Sequence, residues 1–332
     1  MSGGSAPPTM RDVARRAGVS LKTVSRVVNG EPTVAPHLAA RVRAAVELLN
    51  YRPHIGASML RRNDRRTRMI GLLLTDVADP FSAAMHRSIE DAARRRGVHV
   101  LTASLDEDPA RERELARAFA QRQVDGLIVT PAGPDQSHLR SLGDLPITFV
   151  DRAAEGYAAD SVLATDAAGA AEAVRHLLAR GHVRIAYLGG PAGIATARNR
   201  FQGYLDALTP AGREPFGAHD LADEAAAARA TEALLSGPDP PTAIFTGRRP
   251  ITVGALRALR GLGRQRTVAL VGFDDFPQAD LLDPAVTVVA QDPAAMGRIA
   301  ARALFERIDG DGGPPRVFEV PTTLITRGSG EL

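Results

Sequence analysis

The first fifty residues contain two short helix signals separated by one glycine, and this spacing restricts the start of the chain to a small helical unit. Thr9 and Asp12 form the capping-box pattern that opens a helix, and Gly18 ends that helix. Ser20 can cap a second helix, LKTVSRVVN, whose valines recur at helical spacing. The pattern predicts a helix-turn-helix, although a small helical hairpin with a solvated basic face would have the same spacing.

The outward face of the second helix predicts which side chains could meet DNA. Beside Leu21 it carries Lys22, Thr23, Ser25 and Arg26. In a helix-turn-helix the second helix enters the major groove, where an arginine fork can pair with O6 and N7 of guanine. Arg26 is therefore the candidate base-reading residue.

This segment resembles the headpiece of the LacI/GalR family of bacterial transcription regulators. The family motif matches DVARRAGVS, TVSRVVNG and LNYRP almost residue for residue. The resemblance implies that Leu21, Lys22 and Arg26 meet base edges, that Thr23 and Ser25 lie toward phosphates, and that Asn29 belongs to the same DNA-contacting set. One departure concerns stability, since Ala35 stands where a helix-capping Ser is usual.

The next segment, HIGASMLRR, resembles the hinge helix of the same family. The resemblance implies that this helix folds when two subunits sit on an operator, and that Leu60 wedges between base pairs from the minor groove. His54 and Ile55 replace a common Asn-Ala pair, and Ser58 takes the place of a frequent Arg, so a minor-groove contact could be missing.

Charge is distributed unevenly along the chain. Residues 1–68 hold 13 Lys and Arg against 4 Asp and Glu, whereas the remainder holds 28 against 34. A basic N-terminal end is the electrostatic footprint of a protein that neutralises phosphates. The run RRNDRRTR, residues 61–68, fits direct DNA contact or a solvated linker equally well.

Length and composition exclude several classes of protein. A chain of 332 residues with 44% hydrophobic content can bury a large core and should form two or more domains. It has no cysteine, hence no disulfide or thiolate metal site. The N-terminus lacks a hydrophobic signal region, and no apolar run approaches the length of a membrane span. We therefore expect a cytoplasmic protein with no membrane partner.

From Met69 onward, short apolar runs alternate with amphipathic helix patterns. Continuous apolar strands separated by helices predict a parallel sheet covered on both faces, and the length suggests two doubly wound α/β units. The family resemblance implies a periplasmic-binding-protein-like core of two lobes joined by three crossovers. The predicted boundaries are a disordered 1–8, a helix-turn-helix domain 9–52, a hinge and linker 53–68, and a core 69–332, with lobe 1 at about 69–162 and 292–320 and lobe 2 at about 163–291 and 321–332.

The candidate effector residues follow the apolar runs, because ligands of open α/β sheets bind near the carboxyl ends of strands. The resemblance assigns to the pocket Asp79, Phe81 and Ser82 of DVADPFSAAM, Asp151 and Arg152 of FVDR, Arg198 and Arg200 of TARNRFQGY, Asp274 of VGFDD, and Gln291 after VTVVA.

Arg248 and Arg249 occupy places where the family commonly has Asn and Asp. If either arginine points into the cleft beside Arg200 and Arg152, the pocket would favour an acidic sugar derivative, because paired guanidiniums bind carboxylate and phosphate. Alternatively, one of them pairs with Asp274 and the ligand is a neutral carbohydrate.

These patterns predict a non-enzymatic, operator-binding regulator that forms a homodimer, acts as a repressor on double-stranded DNA and responds to a small-molecule effector. Motifs of hydrolases, zinc proteases and P-loop proteins are missing from the sequence, and no catalytic residue, metal or cofactor is expected. A soluble ligand-binding protein without specific operator binding is the alternative, although an intact Arg26 and Leu60 oppose it.

The hinge assignment makes a direct prediction. Leu60→Ala should reduce operator bending and operator affinity while ligand binding stays intact, because a methyl group cannot hold two base pairs apart. A circular-permutation gel shift measures the bend, and an unchanged bend would refute the assignment.

Overall fold

The computed structural model describes residues 8–28, 31, 33–51 and 66–332. The chain divides into two compact units, Met1–Thr67 and Arg68–Leu332, which we call the headpiece and the core. The predicted contacts Asn29 and Leu60, most of the predicted hinge and the first seven residues lie outside the described residues.

The described headpiece contains three helices, α1 Met10–Ala17, α2 Leu21–Val28 and α3 Pro36–Leu48. The predicted capping box is present, since the Asp12 amide donates to the Thr9 hydroxyl at 3.4 Å and the Thr9 amide donates to the Asp12 carboxylate at 2.9 Å. Gly18 ends α1 in the left-handed conformation, with a φ of 61°. The helices close around a small core of Val13, Ala17, Val24, Val42, Ala45 and Tyr51.

The third helix begins without a side-chain cap, as the Ala35 departure predicts. Pro36 occupies its first turn, where the missing amide hydrogen costs nothing because that group has no partner in the helix.

The core contains twelve strands among its described residues: β1 Met69–Leu74, β2 His99–Ser104, β3 Leu127–Val129, β4 Ile147–Val150, β5 Asp160–Ala164, β6 Ile185–Leu188, β7 Phe216–Ala218, β8 Ala243–Thr246, β9 Ala269–Phe273, β10 Thr287–Ala290, β11 Val317–Val320 and β12 Thr323–Ile325. Seven α-helices cover them: α4 Pro80–Arg95, α5 Pro109–Gln121, α6 Asp166–Ala179, α7 Ala195–Leu208, α8 Glu224–Leu235, α9 Arg249–Gly261 and α10 Pro293–Ile308. Two 3-10 turns lie at Ser137–Leu142 and Thr209–Ala211.

The strands form two six-stranded sheets, in the orders β11-β5-β4-β3-β1-β2 and β12-β10-β9-β8-β6-β7. Apolar side chains on both faces of each sheet are buried; Leu72 packs under α4 and α10, for example, while Leu73 packs toward α5. The predicted two-lobed, doubly wound fold is confirmed, and the first sheet and its helices form lobe 1.

One strand departs from the parallel prediction. β12 runs antiparallel to β10, whereas the other pairs are parallel. Only two residues separate β11 from β12, so the chain enters lobe 2 at the carboxyl edge of its sheet and must run away from that edge.

The chain passes between the lobes three times, after β5, after β10 and after β11. Strand β5 continues to Ala164 in the first sheet, two residues past the predicted lobe boundary. Among the described residues, no helix is long and apolar enough to cross a membrane.

Candidate functional site

A cleft of about 360 Å³ lies in the core between the carboxyl ends of the two sheets. The residues that line it include ten of the eleven predicted effector residues: Asp79, Phe81, Ser82, Asp151, Arg152, Arg200, Arg248, Arg249, Asp274 and Gln291. Parallel strands end at the same edge of a sheet, which explains why loops far apart in sequence meet here.

Arg198 is the predicted effector residue that does not line this cleft. It lies two residues before Arg200 on α7, and a helix turns through about 200° over two residues, so the two side chains leave opposite faces. Its guanidinium donates to the carbonyls of Ala192 and Gly193, at 3.1 and 2.9 Å. The Arg198 side chain therefore holds the loop before α7 against the helix instead of lining the cleft.

Arg200 forms the base of the cleft and is almost fully buried. Its Nε donates to Asp166 at 2.7 Å, and its Nη1 lies 2.9 Å from the Gly247 carbonyl and 3.3 Å from Asp274. The guanidinium also lies over the ring of Phe273. Burial alone would lower the pKa of Arg200, but Asp274 and Asp166 raise it above its ordinary value.

Asp151 and Asp274 leave their strands in the same conformation. Both have positive φ, 71° and 73°, directly after β4 and β9. This left-handed backbone is uncommon for residues with a side chain. It places each carboxylate at the carboxyl edge of its sheet, where the cleft is.

Asp151 has an unusual acidity for a carboxyl group. Burial raises its pKa to about 7, and the attraction of Arg152 offsets only part of that rise, while Asp166 and Asp274 add to it. The Nε of Arg152 lies 3.6 Å from its carboxylate, which is too long for a hydrogen bond. Burial also raises the pKa of Asp166, although Arg200 opposes the shift.

Arg152 is held within lobe 1. Glu107, in the loop after β2, accepts from both of its terminal nitrogens, at 2.6 and 2.8 Å, and the Pro131 carbonyl accepts at 3.0 Å. Glu107 and Asp166 are functional residues of the cleft network that the sequence motifs do not indicate. Both carboxylates come just after a strand, and this position is the sequence feature that could have indicated them as cleft residues.

Neither Arg248 nor Arg249 hydrogen-bonds to Asp274, so the alternative in which one of them pairs with that carboxylate is wrong. Arg249 donates to one carboxylate oxygen of Asp79, from Nη2 at 2.5 Å and from Nε at 3.2 Å. Arg248 donates to the Ala222 carbonyl at 2.6 Å. Asp274 instead accepts from Arg200 and from the Gln291 amide, the latter at 2.7 Å.

Four polar groups on residues that line the cleft make no hydrogen bond among the described residues. The buried Gln291 Oε1 has no hydrogen-bond donor among the described residues, and the buried Nε atoms of Arg152 and Arg248 have no acceptor there. The fourth is the Asp151 carboxylate. No group of three or more His, Asp and Glu side chains in the described chain is placed to hold a metal ion.

The predicted DNA-reading face of the headpiece is exposed on α2. The side chain of Leu21 is 44% accessible, and Lys22 is also exposed. Thr23 lies at the start of the helix, where its amide donates to the Ser20 hydroxyl at 3.1 Å. Arg26 is partly exposed and lies 3.6 Å from Glu31. Val24, on the other face, is fully buried.

Comparison with known proteins places both units in one family. Residues 9–54 match the family described as bacterial regulatory proteins, lacI family, and residues 67–328 match the periplasmic binding proteins and sugar binding domain of the LacI family. The chain belongs to the LacI family.

Several relatives align with this LacI-family protein over nearly their full length. The ribose operon repressor of Halalkalibacterium halodurans is 32% identical, covering 96% of each chain. The HTH-type transcriptional regulator PtxS of Pseudomonas plecoglossicida is 34% identical over 97% of this chain and 95% of its own. A crystal structure of the Lac repressor dimer bound to operator and the anti-inducer ONPF is 26% identical, with a TM-score of 0.86 over 98% of this chain and all of that one.

Membership of this family confirms the predicted function class. The protein is a DNA-binding, effector-controlled transcriptional regulator, and the family consists of regulators rather than enzymes. Because bacterial regulators of this kind act on chromosomal DNA, the predicted cytoplasmic location is also confirmed.

The acidity of Asp151 predicts an unusual dependence of stability on pH. Its pKa rises from 3.8 to about 7 on folding, so the folded state binds the proton more tightly and loses stability as pH rises between these values. Asp151→Asn removes this loss. The difference in unfolding free energy between the variant and the natural chain should therefore grow, in favour of the variant, by roughly 2 to 3 kcal/mol from pH 5 to pH 8.

Urea denaturation at a series of pH values measures this difference. A gap between the two proteins that stays constant from pH 5 to pH 8 would contradict the assigned acidity.

Proposed function

We propose that this LacI-family protein is a homodimeric repressor that binds a palindromic operator and is controlled by a neutral, hydroxyl-rich small molecule in the cleft. The observation that carries the ligand class is the pairing of the cleft arginines with protein acceptors. The homodimer rests on the family, in which the Lac repressor is a dimer on its operator.

Charge argues against an acidic ligand. The residues that line the cleft include four arginines and seven carboxylates, and two of those carboxylates, Asp106 and Asp275, pair with Arg111 and Arg327 outside the cleft. Arg200 is paired with Asp166 and Asp274, Arg152 with Glu107, and Arg249 with Asp79. A sugar acid or phosphorylated sugar that paired with one of these three arginines would have to displace a carboxylate that already holds it.

The groups left unpaired favour hydroxyl groups instead. Gln291 Oε1 and the Asp151 carboxylate need hydrogen-bond donors, whereas Nε of Arg152 and Nε of Arg248 need acceptors. A hydroxyl group can both donate and accept, so a polyol suits a site that offers both kinds of group. The partly buried ring of Phe81 adds an apolar wall against which a sugar ring can pack.

The relatives support a carbohydrate as the ligand. Four of the curated relatives are named ribose operon repressor, and a solved relative with 29% identity is a regulator in complex with cellobiose. D-Ribose is therefore the first compound to test.

A thermal-shift screen tests the ligand class. The compounds to screen are D-ribose and other neutral pentoses and hexoses. At least one of them should raise the melting temperature by several degrees at about 100-fold excess over its dissociation constant, because a ligand bound only by the folded state stabilises that state. D-Gluconate and D-ribose 5-phosphate should leave it unchanged. Stabilisation by the acidic compounds alone would overturn the proposal.

The same screen tests the pocket with a matched pair of variants. Gln291→Ala should abolish the shift because it removes a ligand contact and the Asp274 partner. Gln202→Ala, which removes an exposed glutamine on α7, should retain the full shift. Equal shifts in both variants would place the ligand elsewhere.

A second prediction concerns base reading by the headpiece. Arg26→Ala should weaken operator binding by about 1–3 kcal/mol per half-site, because a bidentate arginine–guanine contact is lost. Binding to random DNA should fall far less. Fluorescence anisotropy on both duplexes measures the two affinities, and equal losses would rule out base reading by Arg26.

A further inference from the structure

We propose that Arg249 and Asp79 form a latch that holds the two lobes together around the ligand-free cleft, so that Arg249 is a positioning residue rather than a ligand contact. The inference rests on the proposed ligand cleft, which the latch borders. It concerns the protein without ligand and is independent of the ligand's identity.

The two partners belong to different lobes. Asp79 precedes α4 of lobe 1, and Arg249 is the first residue of α9 of lobe 2. Two nitrogens of the guanidinium donate to the same carboxylate oxygen, at 2.5 and 3.2 Å, and each side chain is about one quarter exposed. Partial burial and two hydrogen bonds make this pair stronger than an ordinary surface ion pair.

The other three cleft arginines bond within their own lobes. Arg152 pairs with Glu107 in lobe 1, and Arg200 pairs with Asp166 and Asp274 in lobe 2. Arg248 donates to the carbonyl of Ala222, also in lobe 2. Among these four cations, only Arg249 makes a hydrogen bond to a residue of the other lobe.

The position of Arg249 at the start of a helix favours its pairing with Asp79. A cation at the first residue of α9 lies at the positive end of the helix dipole, where an arginine is unfavourable unless an anion lies beside it. Asp79 supplies that anion with one oxygen, and its other oxygen accepts from the Phe81 amide at 2.9 Å and caps α4. One carboxylate therefore neutralises the starts of two helices that face each other across the cleft.

The consequence is a conformational bias. The lobes are joined covalently by three crossovers, and an ion pair across the cleft shifts their equilibrium toward the closed arrangement before any ligand binds. Salt screens a partly exposed pair, so the bias should weaken as ionic strength rises.

Distance measurements between the lobes test the latch in the full-length protein. The chain has no cysteine, so Arg117→Cys on α5 and Arg229→Cys on α8, both exposed, give specific spin-labelling sites in lobe 1 and lobe 2. Labelled protein exchanged into an excess of unlabelled protein isolates the distance within one subunit. Double electron–electron resonance then measures it without ligand.

Asp79→Asn and Arg249→Gln are the informative variants, since asparagine can still cap α4. Each should move the distance distribution to longer values and lower the closed population about two- to fivefold. The double variant should add nothing to either single one. Arg257→Gln, which removes a pair with Glu224 within lobe 2, is the matched control and should leave the distribution unchanged.

Salt provides a measurement that needs no variant. Raising sodium chloride from about 50 to about 500 mM should move the natural chain toward the variants and leave Arg249→Gln in place. Superimposable distributions for the natural chain and both single variants at both salt concentrations would overturn the latch. That result would leave the ligand proposal intact, because no ligand is present.

Discussion

The buried charge of Arg200 organises the ligand cleft. Removing a guanidinium from water costs several kcal/mol unless well-placed acceptors replace the solvent. Asp166 supplies one acceptor from the first crossover, and Asp274 supplies another from the end of β9. Asp274 also accepts from Gln291, which lies at the second crossover. The ion pair therefore ties two of the three connections between the lobes to the base of the site.

The same network sets what the cleft can bind. Asp166 and Asp274 pair with Arg200, and Glu107 pairs with Arg152. The nearby carboxyl of Asp151 has no arginine within hydrogen-bond distance, and burial raises its pKa to about 7. A site in this state gains little from a further negative charge. It gains from groups that donate hydrogen bonds to Asp151 and Gln291, which is how a polyol would be recognised.

The headpiece and the core place their charged side chains differently, for different physical reasons. The headpiece needs exposed basic side chains, because counterion release and base contacts provide its binding free energy. The core buries charged side chains and pairs them within the protein, because a buried charge without a partner is costly. The uneven charge along the sequence, with an excess of basic residues before residue 69, records this division.

The sequence by itself determined the headpiece helices, the apolar strands and most residues of the cleft, because caps, hydrophobic periodicity and strand ends are local features. It could not decide which arginine meets which carboxylate. Arg198 and Arg200 are two residues apart, yet only Arg200 lines the main cleft. Arg249 pairs with Asp79, which lies 170 residues away in the sequence. Those pairings depend on the relative placement of two sheets. Only the tertiary structure decided that Arg248 and Arg249 bond to acceptors of the protein itself. The physical reason is that a buried charge without a partner is costly, so it pairs with whichever acceptor folding brings within reach.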